Sequence, residues 1–214
     1  MIKLEHVKPQ DIEKHSMLTI EKELADRGII LDKKNEKVIK RAIHTTADFD
    51  YAKSLKFSED AVNVALNLIK EGADIVTDTN MALAGINKKE LEKYGCRIHC
   101  FMADAEVADL AAKEGVTRAY VSMKKASLLD KKVIFAVGNA PTALIALREM
   151  YDKNEYVPSF IIGVPVGFVN VVASKELIME TDIPYIINEG NKGGSNVCAA
   201  IVNALLYMLR DTRG

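Results

Sequence analysis

From residue 58 onward, short apolar segments of strand type alternate with stretches that carry helix signals, and this alternation restricts the fold more than any other feature. The segments are residues 73–77, 97–101, 132–137, 159–163 and 184–188. Three of them are continuously apolar rather than alternating, the pattern of strands covered on both faces. Between them, Ser58 is placed to cap a helix that stops at Gly72, and Asn87 with Glu90 forms a capping box before a stop at Gly95. Such alternation builds right-handed crossover units and an open parallel sheet. The expectation is an α/β fold: an open, mostly parallel five-stranded sheet with helices on both faces.

Residues 1–57 read differently. Pro9 opens a helix over 10–27 that Gly28 ends, and a second helix begins near Asn35 and runs to Ile43 or slightly beyond. This N-terminal helical pair is expected to pack on the α/β body within a single domain spanning 1–214. A chain of 214 residues buries roughly 70% of its unfolded surface, enough for a core without staples. Its 29 basic and 30 acidic side chains leave a net charge of −1, so no overall positive field draws in nucleic acid or an anionic membrane. No apolar run approaches the roughly 20 residues of a membrane span, and no signal-peptide pattern is seen. Cys96, Cys100 and Cys198 make an odd, sparse set that suits reduced thiols in a cytoplasm.

In open α/β sheets ligands bind beyond the carboxyl ends of the strands, so the turns there carry the candidate chemistry. Gly138, Asn139, Ala140, Pro141 and Thr142 follow the third segment. Gly138 permits a sharp turn and Pro141 suits a first helical position, so the amides form either an anion site or an ordinary strand–helix turn. Gly163, Pro165, Gly167 and Phe168 follow as a binding loop or a chain bend. Lys192, Gly193, Gly194 and Ser195 precede the last helix as a carboxylate or phosphate cradle. No P-loop and no G-x-G-x-x-G follows a strand, so no nucleotide is implied.

The chain has four histidines. His6 and His15 lie in a polar stretch and read as solvated. His99 sits between Cys96 and Cys100, but on a strand those cysteines are about 13 Å apart with His99 on the opposite face, so no metal site is expected. His44 follows Arg41 by three residues, on one helical face beside Thr45 and Thr46. It is either a structural histidine or, with Arg41, a group that holds an anion and moves a proton.

Taken together, Arg41 to His44, residues 72–79 with Met81, Thr117 with Arg118, and residues 138–144, 163–169 and 193–195 resemble the precorrin-8X methylmutase family of corrinoid biosynthesis. The resemblance runs from about Ser16 to Leu205. It implies migration of a methyl group from C11 to C12 of a corrin precursor, without an external cofactor, in a homodimer whose substrate site lies near the subunit boundary. It implies that His44 is the proton donor and that Ser16 and Arg41 contact substrate, with Arg118 and the three turns completing the site. Ser16 also interrupts the stripe Ile12, Ile20, Leu24, where a lone hydroxyl is unexpected. A polycarboxylate macrocycle with a large apolar face suits scattered helix-end and Arg donors. The chain departs from the family pattern at Asn191, where many members carry an arginine, with Lys192 next to it, and at Thr45 to Asp48. The rival reading is a non-catalytic corrinoid or tetrapyrrole carrier on the same fold, for which His44 has no use.

Overall fold

The structure, a computed structural model, describes residue 8 and residues 11–211; His6 and Pro9 lie outside them. All five expected strands are present and run parallel: β2 (Asp74–Thr77), β3 (Ile98–His99), β4 (Val133–Val137), β5 (Phe160–Gly163) and β6 (Tyr185–Asn188). A sixth strand, β1 (Leu55–Phe57), pairs antiparallel with β6, setting Leu55 opposite Asn188 and Phe57 opposite Ile186. The expected count of five is thereby corrected to six, in the order β1-β6-β5-β4-β2-β3. Three residues between two helical stretches leave a period-2 pattern no room to show. Ser58 belongs to this pairing rather than to a helix cap: its hydroxyl accepts a 2.9 Å hydrogen bond from the Tyr185 amide. The following helix, α4 (Ala61–Lys70), starts instead from Asp60 at φ 52°.

Alternation within the buried strands sorts side chains to two cores. Ile75, Ile134, Ala136, Phe160, Ile162 and Ile186 face one; Val76, Val133, Phe135, Val137, Ile161 and Ile187 face the other. The first core is covered by α1 (Ile12–Asp26), α2 (Glu36–Thr46), α4, α5 (Asn80–Gly85), α6 (Lys88–Glu92) and α11 (Ser195–Asp211). The second lies under α8 (Arg118–Ala126), α9 (Pro141–Asp152) and α10 (Val171–Met179), with α7 (Ala105–Glu114) packed beside α8. Helices therefore cover both faces. Asn87 does cap α6, accepting from the Glu90 amide at 3.2 Å. The reciprocal half of the capping box is missing, because the Asn87 amide donates to Asn203 Oδ1.

The N-terminal pair packs on the body as expected. α2 buries Val38, Ile39, Ala42 and Ile43 against α11, each larger side chain contributing about 1.5–3 kcal/mol of transfer free energy. Ile20 and Leu24 of α1 close the far side. α2 ends at Ala47, which takes the left-handed conformation (φ 54°), and the chain then passes through α3 (Tyr51–Ser54) into β1. Among the described residues, no helix is long and apolar enough to cross a membrane.

Candidate active site

β2 is flanked by β3 on one side and β4 on the other, so the strand order reverses between β2 and β4. Open α/β sheets bind ligands at that reversal, beyond the carboxyl ends of the strands. Here the crevice is bridged by the protein itself. Asp78, directly after β2, is fully buried; its Oδ1 accepts from the Gly138 amide (2.8 Å) and its Oδ2 from Asn139 (2.8 Å) and Ala140 (2.6 Å). Burial pushes this carboxyl group above its ordinary value, and the three amides pull against it. The amides of 138–140 are therefore not open to an anion, which corrects that expectation. An acidic residue directly after a strand, in the turn where ligands or backbone amides are met, was the available signal for Asp78.

The remaining turns meet at the same edge. A Cβ on Gly138 would lie 2.8 Å from Ser195 Cα, and one on Gly193 only 2.1 Å from the Val164 carbonyl oxygen, so both positions need glycine for close backbone approach. The Gly194 amide donates to that same Val164 oxygen (2.9 Å), the Gly167 amide to Asn191 (3.1 Å), and the Ser195 and Thr79 hydroxyls share a 2.8 Å bond. Pro165 is buried, as is Gly163 within β5, so Gly163 shapes the sheet rather than the ligand surface. Phe168 is 92% exposed and stands with exposed Val166, Val169 and Met81 as apolar surface on these turns. Thr117 caps α8 and shares a 2.7 Å bond with Thr142, which sets exposed Arg118 beside the start of α9.

Lys192 does not reach out as a free cation. Its Nζ lies 2.6 Å from both Asp48 and Asp50, and these carboxylates raise the lysine while the lysine lowers Asp48. That pairing ties the segment after α2 to the glycine-rich loop, with His44 in the last turn of α2 just before it. The His44 side chain is exposed and makes no hydrogen bond to another described residue. Arg41, three residues earlier, is engaged elsewhere: its guanidinium meets Glu13 at 2.5 Å and lies 5.0 Å over the Tyr207 ring. Ser16 is one turn from Glu13 on α1, and its hydroxyl donates to the Ile12 carbonyl (2.9 Å). Arg41, Met17 and Tyr207 line a cleft of about 250 Å³ between α1, α2 and α11. Tyr207 is twelve residues from Ser195, roughly 18 Å along α11. Ser16 and Arg41 therefore stand away from the glycine turns.

Fold and edge together define an open α/β protein with a broad surface of backbone turns and apolar side chains at the switch point of its sheet. A family model described as precorrin-8X methylmutase matches residues 11–208. A cobalt-precorrin-8 methylmutase of Leptospira interrogans is 41% identical over 83% of this chain and 84% of its own length. The Salmonella typhimurium protein of the same description is 44% identical, with 83% of each covered. The crystal structure of a precorrin-8X methylmutase from Thermus thermophilus superposes with a TM-score of 0.84 at 35% identity, covering 94% of this chain and 98% of that one. The chain belongs to the precorrin-8X methylmutase family.

Proposed function

We propose that this protein moves the C11 methyl group of precorrin-8X, or of its cobalt-bearing counterpart, to C12, giving hydrogenobyrinate or cobyrinate, with His44 as the proton donor. The observation that carries this reading is the exposed imidazole of His44, which pairs with no other described residue and lies in the last turn of α2, shortly before the Asp48 that binds Lys192 of the glycine-rich loop. A proton placed on the conjugated macrocycle makes it electron-poor. The C11–methyl bond then breaks as the C12–methyl bond forms, and the proton returns to the imidazole, so the atoms balance without a reductant or oxidant.

Phe168, Val166 and Met81 offer an apolar wall to the flat face of the macrocycle, and Arg118 and the loop amides offer donors to its carboxylates. Ser16 and Arg41 would engage side chains at the opposite rim. We further infer a cytoplasmic homodimer with the site near the subunit boundary, because a ligand that broad is hard to enclose with one chain. Incubating the purified protein with each precursor and following absorbance tests the reaction, since moving the methyl changes the conjugated system. Binding of a precursor with no spectral change would leave the carrier reading in its place.

A further inference from the structure

Beneath the glycine-rich loop lies a lysine that neither the family resemblance nor the proposed reaction uses. Lys175, on α10, is 1% exposed. Its Nζ donates to the carbonyls of Gly190 (2.6 Å) and Lys192 (2.9 Å), and among the described residues no carboxylate forms an ion pair with it. Burial lowers this ammonium to about 8. A desolvated cation without a counter-charge costs stability, and here its donors are spent on one short stretch of backbone. The next carbonyls are held in the same sense. Asn188 Nδ2 donates to the carbonyls of Glu189 (3.1 Å) and Lys192 (2.8 Å), its Oδ1 accepts from the Ser54 hydroxyl (2.6 Å), and the Asn191 carbonyl takes the Gly167 amide.

Every carbonyl from Glu189 to Lys192 thus has a partner inside the protein. The amides of Gly190, Asn191, Lys192 and Gly193 donate to no other described residue. The loop is polarised, carbonyls inward and amides unspent, with a positive charge behind it. Successive backbone amides left without an internal acceptor are donors that an anion can take up. The Lys192 side chain, turned to Asp48 and Asp50, does not fill that role.

We propose that Lys175 is a positioning residue: by holding the carbonyls of Gly190 and Lys192 it presents the amides of 190–193 to a carboxylate of the macrocycle. The proposal rests on the corrinoid reading above and adds a carboxylate subsite made of backbone. Without Lys175 the peptide planes of the loop are free to turn, and the bound anion loses aligned donors and the charge behind them.

The test uses hydrogenobyrinate as probe, with absorbance titration, steady-state kinetics and amide hydrogen exchange on the parent protein, Lys175→Met and Lys175→Arg. Lys175→Met is expected to weaken probe affinity and raise KM by about tenfold or more while kcat stays within about threefold. Exchange at 190–193 should quicken while β4 stays protected, and Lys175→Arg, which keeps charge and donors, should recover most of the affinity. In the parent, the probe should slow exchange at 190–193. A folded Lys175→Met protein with parental affinity, or a loss confined to kcat, overturns the proposal. So does probe binding to the parent that leaves exchange at 190–193 unchanged, a result that needs no variant to fold. A parent protein that neither binds nor converts a corrinoid overturns the functional reading first, and this proposal with it.

Discussion

Asp78 satisfies three backbone amides with two oxygens at the reversal of strand order, and asparagine there would turn one acceptor into a donor facing N–H groups. Asp78→Asn should lower unfolding stability by about 1–3 kcal/mol in a denaturant titration, the cost of leaving buried polar groups unpaired. No measurable change would mean that the turn is held by its glycine packing alone. His44→Asn keeps shape but cannot pass a proton; kcat should fall roughly 10²-fold or more while product affinity stays near that of the parent. Turnover within a few fold of the parent would make His44 a positioning group only. Arg41 already has a carboxylate partner, so substrate competes with Glu13 for it. Glu13→Gln should therefore tighten product binding, and Arg41→Ala should weaken it by a few kcal/mol at most. Unchanged affinity in both would place Arg41 outside the site.

Between β2 and β3 a cluster of opposite charges stands at the other end of the sheet from the site. Asp74, fully buried at the start of β2, takes the Arg97 guanidinium (Nη2 at 2.9 Å) and His99 Nε2 (2.9 Å). Burial pushes its carboxyl up, but the Arg97 and His99 hydrogen bonds outweigh this and leave it below the ordinary 3.8. A carboxyl group depressed in the folded state stabilises above its unfolded value and loses that contribution as pH falls through the lower folded one. Melting temperature should therefore drop below about pH 4 in the parent, and less steeply in Asp74→Asn, which should already be weaker by about 1–3 kcal/mol at neutral pH. Parallel acid profiles would assign the acid loss to other carboxyls. The central strand β4 and its neighbour β5 were legible because burial on both faces writes an uninterrupted apolar run. β1 was not, because its three residues carry too little pattern. Lys175 was hidden for the opposite reason: it occupies an inward position of α10 between Val171 and Ile178, where a lysine reads as surface. The candidate turns do meet at the carboxyl edge of the sheet, but the amides of 138–140 and the Lys192 ammonium are taken by Asp78, Asp48 and Asp50, partners far off in sequence.

At the scale of the whole molecule, the proposed dimer is checked by light scattering, which should return about twice the 23.6 kDa of one chain at micromolar concentration. A value near one chain would require the substrate to be held by Ser16, Arg41 and the glycine turns of a single protomer. The place of β1 has a consequence in time rather than in space. Ser54 bonds Asn188, 134 residues later in the chain, and among the described residues β6 is the one strand that β1 pairs with. During synthesis β1 waits for β6, the last of the described strands to be made. Closing so long a separation is entropically slow compared with forming the local crossover units. Docking of β1, and with it the anchoring of the segment that carries His44, is therefore expected late in folding. The edge that carries the candidate site is completed by two strands made far apart in time.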